Sequence, residues 1–447
     1  MHMSEVHRFA TPMLVEGERL YWDLEAVWTE LDATFRRVCA SEEVRSISVD
    51  SWGVDYVPLD ARMQPVRRAH CYRDTRTANM AEQIRRRVHP SAIYAITGVQ
   101  PQAINTLFQV VADQVITPAD YDRTATRLLI ADYFNYRFSG QAFAEVSAAS
   151  TTQVFAPRLM TWARPLIRRL GLHPEQWPPT IPSGTRLGPV QSGGPPVEVI
   201  AGCSHDTACA VAAVPAASDG GAWAFLSSGT WSIIGVELDQ AVLTGEARML
   251  GYTHEVGFNR SIRLLKNMTG LWVLQECERA WRKAGEAFNY DMLLDEARRA
   301  DPWPEVVDLS DVRFAARGDM PRRLRRYCQE HSIPVPGSRG AVVRLILESL
   351  AEMYRKALRQ LETLIARPVR VLHVVGGGAR NALLNQWTAD RCGCQVVAGP
   401  AEATSLGNLL VQAYAMGDLQ SPGDVRRVAA RSARIAVFDP KGVTSRP

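Results

Sequence analysis

The chain has 447 residues, 46% hydrophobic and 22% charged, with 31 Gly and 26 Pro, a composition that excludes disordered and collagen-like classes. Its formal net charge is +4 with basic residues scattered along the chain, so nothing points to nucleic acid as a partner. The most apolar runs, Val371 to Val375 and Leu406 to Met416, fall short of the ~20 residues that span a bilayer, so no membrane partner is expected.

Met1 to Ala10 carries Glu5, His7 and Arg8 and lacks the apolar stretch of a signal peptide, which predicts a protein that is not exported. Leu24, Val27, Trp28, Leu31 and Phe35 recur at helical spacing within Leu20 to Arg37. Val44 to Asp60 holds two alternating apolar runs around Ser51-Trp52-Gly53, which predicts strand, turn, strand in a hairpin. Arg76 to Val88 reads as a helix, and Asp120 to Tyr136 as one buried helix ending near Ser139-Gly140. Trp177 to Pro196, rich in Pro and Gly, reads as a connector. A buried strand comes next at Val197 to Ala201, then a small-residue helix from Ser204 to Val214, and Ala216 to Gly221 is the expected domain boundary.

The second half opens with Ala222 to Leu226, a Ser227-Ser228-Gly229-Thr230 turn and Trp231 to Val236, again strand, turn, strand. Helices are expected at Gly270 to Ala284 and Ala341 to Ile365, and a parallel-type strand at Val369 to Val375 that runs into Gly376-Gly377-Gly378 and a helix. Asp424 to Ala436 is the last expected helix, with a frayed tail from Phe438. The fold class is therefore α/β, in two halves.

Four residue patterns carry chemistry. Gly202-Cys203-Ser204-His205-Asp206-Thr207 sits where a strand hands over to a helix, a place where a carboxylate reaches a substrate hydroxyl; Asp206 is the candidate base, although a helix N-cap explains the same residue. Ser227 to Thr230 forms a small polar turn that suits phosphate oxygens, or simply closes a hairpin. Gly376-Gly377-Gly378 lets a ligand approach backbone at a helix start, or lets a helix pack on its strand; it lacks the G-x-G-x-x-G spacing of a dinucleotide fold. Asn267 stands before an apolar helix that carries Gln275 eight residues on; a cap and a solvent-facing Gln explain these equally. Only four lysines occur, Lys266, Lys283, Lys356 and Lys441, and none comes directly after Gly, which excludes a Walker A loop. Eight Cys without a C-x-x-C pair predict reduced thiols and a cytoplasmic location; Cys392 and Cys394 lack the further ligands that a metal site needs, and no metal ligands are assigned.

In order along the chain, Ser51-Trp52-Gly53-Val54-Asp55, His70 to Thr77, Gly98 to Leu107, Ser204 to Thr207, Leu226 to Trp231, Glu255-Val256-Gly257 and Gly376 to Gly378 together resemble the FGGY carbohydrate kinases over nearly the whole chain. The resemblance implies an actin-like, ribonuclease H-like ATPase fold: a sugar-binding domain at 1–215 and an ATP-binding domain at 216–437 flanking a cleft, with a tail at 438–447. It further implies ATP with Mg²⁺, and transfer of the γ-phosphoryl group to the 1-hydroxyl of L-rhamnulose. Asp206 resembles the family's base; Gly53, His205, Asp206, Thr207 and Asn267 correspond to ketose contacts, and Thr230, Gln275 and Gly377 to ATP contacts.

One part of the pattern lacks a counterpart. The family begins with a strand and an Asp-x-Gly-rich turn that contact ATP phosphates, whereas Glu5-Val6-His7-Arg8-Phe9 resembles the stretch of chain just beyond that turn. This predicts that the opening segment is missing and that Met1 is a misplaced start. Two alternatives arise: a non-catalytic sugar- or nucleotide-binding remnant, and a kinase for another ketose such as L-fuculose or L-xylulose. Oligomeric state is not legible.

Overall fold

The computed structural model describes residues 1–191, 196–216 and 222–441. The chain forms two compact units, and both are discontinuous. The first gathers Met1–Ala213, Glu237–Leu264 and Thr404–Ser432; the second gathers Val214–Val236, Leu265–Ala403 and the chain from Ala433. Residues 217–221 of the expected boundary, 192–195 of the expected connector, and 442–447 of the expected tail lie outside the described residues.

In the first unit an antiparallel hairpin, Met13–Glu16 with Arg19–Trp22, leads into the helix Leu24–Ser41. Asp23 caps that helix by accepting from the Ala26 N–H, which satisfies one of its orphan donors. Leu24 and Val27 pack with Trp22, Val57, Leu59, Leu128, Tyr133 and Phe134 into one apolar cluster, so the 3.6-residue spacing in the sequence marks the face that is buried.

The expected hairpin over Val44 to Asp60 does not form. Ser46–Ile47 pairs in parallel with Glu198–Ala201, whereas Tyr56–Leu59 pairs antiparallel with Thr126–Leu129. All four residues of Tyr56–Leu59 are buried, and a strand covered on both faces carries no alternation that could name its partner. The same ambiguity splits the helix expected over Asp120 to Tyr136: Pro118–Arg123 is helical, Thr126–Leu129 is a strand, and Ile130–Ser139 is the next helix. Gly140, at φ 71°, ends that helix by taking the left-handed conformation that glycine adopts without penalty. The Pro-rich connector includes strands Thr180–Ile181 and Thr185–Pro189, the latter antiparallel to Glu198–Ala201. The three-stranded sheet so formed hands its central strand to the helix Asp206–Ala212.

In the second unit the expected strand, turn, strand is observed: Trp223–Ser228 pairs antiparallel with Trp231–Leu238. Trp223–Ser228 also pairs in parallel with Val371–Val375, and that strand in parallel with Gln395–Ala398. The 27-residue helix Arg339–Ile365, capped by Ser338, buries Val342, Leu345, Ile346, Leu350 and Leu361 along one face. The last helix is Pro422–Ser432, and Ala436–Phe438, read as a helix end running into a tail, is an edge strand antiparallel to Gln395–Ala398.

Candidate active site

In the first unit the segment after Ser46–Ile47 runs beside the segment after Glu198–Ala201. The Ser51 N–H donates to the Ser204 carbonyl at 3.0 Å, and the Asp206 N–H donates to the Ser51 carbonyl at 2.9 Å. Glu145 fixes the same loop from the other side. Its buried carboxylate accepts from the N–H groups of Ser147, Ala148 and Ser204 and from the hydroxyls of Ser147 and Ser183. The Ser147 hydroxyl in turn accepts from the His205 N–H at 3.1 Å. Asp132 accepts from the Ser204 hydroxyl at 2.7 Å, and burial holds its carboxyl well above the ordinary range.

This frame presents Asp206. It is the first residue of its helix, whose N-cap is His205, and its side chain is 44% exposed. Oδ1 accepts from the Thr207 hydroxyl at 3.0 Å and lies 3.4 Å from His205 Nε2. Oδ1 also accepts from the Thr207 N–H at 2.5 Å, so Asp206 serves a first-turn donor of the helix as the capping explanation holds, although the N-cap position is His205. Being 44% exposed, its carboxylate can still meet a bound hydroxyl. Asp50, partly buried, accepts from Asn408 at 2.6 Å; burial pushes its carboxyl up to about 7, and the Asp206 charge adds to the rise.

Gly53 is buried, and a Cβ there would lie 2.8 Å from the Thr151 hydroxyl oxygen, so only glycine fits. Val54 comes next at φ 69°, a strained conformation for a β-branched residue. Hydrogen bonds hold it: its N–H donates to Thr151 Oγ1 and its carbonyl accepts from Thr106 Oγ1. The structure thus brings His205, Asp206 and Thr207 together at one strand-to-helix junction, with Ser51, just before Trp52-Gly53, bonded to it.

The second unit assembles the other group. Thr230 Oγ1 donates to Gln275 Oε1 at 3.1 Å, and the N–H groups of Leu271 and Trp272 donate to the carbonyls of Gly229 and Thr230. The turn after Val371–Val375 packs on the same place: a Cβ on Gly376 would meet the Ser228 carbonyl at 3.0 Å, whereas Gly377 has open space around it. Thr230, Gln275 and Gly377 therefore border one small polar turn built of backbone, a surface suited to phosphate oxygens. Asn267 differs from expectation. It lies exposed on the strand Ile262–Thr269, and the helix begins only at Trp272, so Asn267 caps nothing and no continuous helix joins it to Gln275.

Two residues escaped the sequence reading. Glu255, on the strand Thr253–Val256, and Arg263, on Ile262–Thr269, face His205: Glu255 Oε2 lies 3.3 Å from His205 Nδ1 and 3.0 Å from Arg263 Nη2. The Glu255-Val256-Gly257 motif was the only signal for this pair. Among the described residues no group of three or more His, Cys, Asp or Glu could hold a metal ion. The described residues thus offer no cluster of this kind for a resident metal ion. No helix among them is long and apolar enough to cross a membrane.

Residues 5–212 match the N-terminal domain, and residues 224–416 the C-terminal domain, of the FGGY family of carbohydrate kinases. A rhamnulokinase of Bacteroides thetaiotaomicron is 35% identical over 452 aligned positions covering 100% of this chain and 92% of the relative. One of Bacillus subtilis is 33% identical, covering 99% and 91%. Among solved structures, a ligand-bound xylulose kinase from Lactobacillus acidophilus superposes with a TM-score of 0.80 at 15% identity over 97% of this chain and 88% of the other. Plasmodium falciparum glycerol kinase with ADP gives 0.79 at 15% over 98% and 90%. The fold is the two-domain, actin-like α/β fold of sugar kinases, and the chain belongs to the FGGY family of carbohydrate kinases.

Proposed function

We propose that the chain transfers the γ-phosphoryl group of ATP to the 1-hydroxyl of L-rhamnulose, giving L-rhamnulose 1-phosphate and ADP in the breakdown of L-rhamnose. The observation that carries this reading is similarity to rhamnulokinases over essentially the whole chain. The exposed Asp206 carboxylate at a strand-to-helix junction supports it. Residues 1–215 supply most of the sugar domain, which Glu237–Leu264 and Thr404–Ser432 join, and the remainder of 216–437 supplies the nucleotide domain.

Asp206 accepts the proton of the sugar hydroxyl as that oxygen bonds to the γ-phosphorus and the bond from phosphorus to the β,γ-bridging oxygen breaks, releasing ADP. His205, Thr207 and Asn267 orient the ketose, and the bare backbone at Gly53 lets it approach closely. Thr230, Gln275 and Gly377 hold ATP, which arrives with Mg²⁺ as MgATP; the ion supplies positive charge to the phosphate oxygens. Catalysis of this kind rests on alignment at near-attack distance more than on covalent help. The eight free cysteines support work in a reducing compartment such as the cytoplasm.

A coupled assay of ADP release over a ketose panel tests the proposal. L-Rhamnulose is expected to give the highest kcat/KM. Preference for L-fuculose or L-xylulose would move the assignment to another sugar, and absence of any ketose-dependent ADP release would overturn it.

A further inference from the structure

The Glu255-Val256-Gly257 motif takes no direct part in phosphoryl transfer, yet all three residues surround Arg263, and Glu255 also reaches His205. Arg263 is fully buried. Its Nη2 donates to the Val256 carbonyl at 3.1 Å and lies 3.0 Å from Glu255 Oε2. Gly257 leaves room for the arginine, since a Cβ there would come within 3.3 Å of Arg263 Cγ. Glu255 Oε2 also lies 3.3 Å from His205 Nδ1, and on the opposite edge of the ring Nε2 lies 3.4 Å from Asp206 Oδ1. Arg263 Nη2 lies 3.3 Å from His205 Nδ1 as well, so a guanidinium and a carboxylate meet at that edge of the ring, while the exposed base faces the other edge.

We propose that Glu255, clamped by Arg263, is a positioning residue that keeps a hydrogen on His205 Nδ1 and turns Nε2–H toward Asp206, so that the base is oriented and faced by a cation. The inference rests on the kinase reading for the role of Asp206, but the state of the ring can be measured without turnover.

The charges around His205 favour this arrangement. Glu255 and Arg263 face it from two strands, Asp206 from its own helix, and Asp50 from the segment after Ser46–Ile47. Burial and the Arg263 charge oppose charging of the ring, but Glu255 and then Asp206 outweigh them, and the histidine is held above its ordinary value. Burial likewise pushes Glu255 up, but His205 and Arg263 outweigh it, and the carboxyl lies below its usual range. An orienting carboxylate that selects the form of a histidine acts in this way in other enzymes.

Long-range ¹H–¹⁵N correlation spectra of the full chain, with the His205 signal assigned by its loss in His205→Gln, read the ring directly. In the wild type both ring nitrogens are expected to carry hydrogen at neutral pH, and the ring to titrate above a free histidine. In Glu255→Gln the midpoint should fall. Turnover in that variant should drop roughly 10- to 100-fold, the scale on which an outer hydrogen-bond partner acts. KM for the ketose should stay within about 3-fold, and the alkaline limb of kcat should move to lower pH, because an imidazolium held less firmly is lost earlier.

A wild-type ring that is neutral at pH 7, or a midpoint unchanged by Glu255→Gln, would overturn the proposal; should the variant not fold, the wild-type spectrum alone decides. Absence of ketose-dependent ADP release in the wild type would count against the kinase reading and leave the ring measurement standing.

Discussion

At the scale of single residues, the site combines an exposed base with a buried frame, and the two respond differently to substitution. Asp206 makes only local hydrogen bonds and is 44% exposed, so Asp206→Asn should fold normally. It should lose on the order of 10²- to 10⁴-fold in kcat, while calorimetry shows ketose affinity within a few-fold of wild type; undiminished turnover would remove Asp206 from the chemistry. Asp113 is the opposite case. It is buried between Arg67 and Arg76 with the Tyr56 hydroxyl also donating to it. Burial raises its carboxyl, but the two arginines outweigh this and bring it down to about 2. Asp113→Asn leaves those guanidinium groups without their counter-charge and should cost about 3–5 kcal/mol in a denaturant titration; a cost within experimental error would show that the cluster is solvated. His205, Asp206 and Thr207 are legible in sequence because they are neighbours at a strand-to-helix junction. Arg263 is not legible, since a charged residue on a strand reads as solvent-facing until the fold surrounds it.

At the scale of elements, the helix Asp206–Ala212 owes its seat to a close approach by the helix Ala403–Ala415. A Cβ on Gly407 would overlap the Cys209 carbonyl oxygen, and neither backbone can yield without displacing the first helix. Propensity alone predicts that Gly407→Ala stabilises an interior helical position by about 1 kcal/mol. The overlap predicts the reverse sign, a loss of roughly 1–3 kcal/mol. It also predicts a fall in kcat, because Cys209 lies three residues beyond Asp206; a stabilised variant would show that the helices separate freely. The hairpin Trp223–Ser228 with Trp231–Leu238 was legible from its alternation and small-residue turn. The two runs of Val44 to Asp60 look alike in sequence but pair with strands more than sixty residues away, a choice set by burial on both faces and not by the intervening turn.

At the scale of the whole molecule, buried titratable groups predict the pH profile of stability. Burial lowers His254 to about 4 and His70 to about 2, so their contributions are full above pH 6.5 and are lost as pH falls. Burial raises Asp55 to about 6 and Asp50 to about 7, and Asp132 well above its ordinary value. Those contributions are full below about pH 4 and are lost as pH rises. Between pH 6.5 and 4.5 three raised carboxyls oppose two lowered histidines, and the carboxyls prevail by about one group. Below pH 4 the raised carboxyls no longer compensate, while His70 and Asp113 go on taking up protons. Stability should therefore rise by about 1.4 kcal/mol per pH unit as pH falls from 6.5 to 4.5 and then drop below pH 4, where Glu255, held below its usual range, adds to the loss from His70 and Asp113. A steady decline from pH 7 in urea midpoints would contradict this balance. By itself the sequence determined the α/β class, the family and the local clusters around Asp206 and Thr230, because these depend on neighbouring residues and short-range periodicity. Only the tertiary structure decided which strands pair, that Glu237–Leu264 and Thr404–Ser432 join the first unit, and that Glu255 and Arg263 stand behind His205. Contacts between residues far apart in the chain arise from how buried surfaces fit together, and no local pattern records that fit.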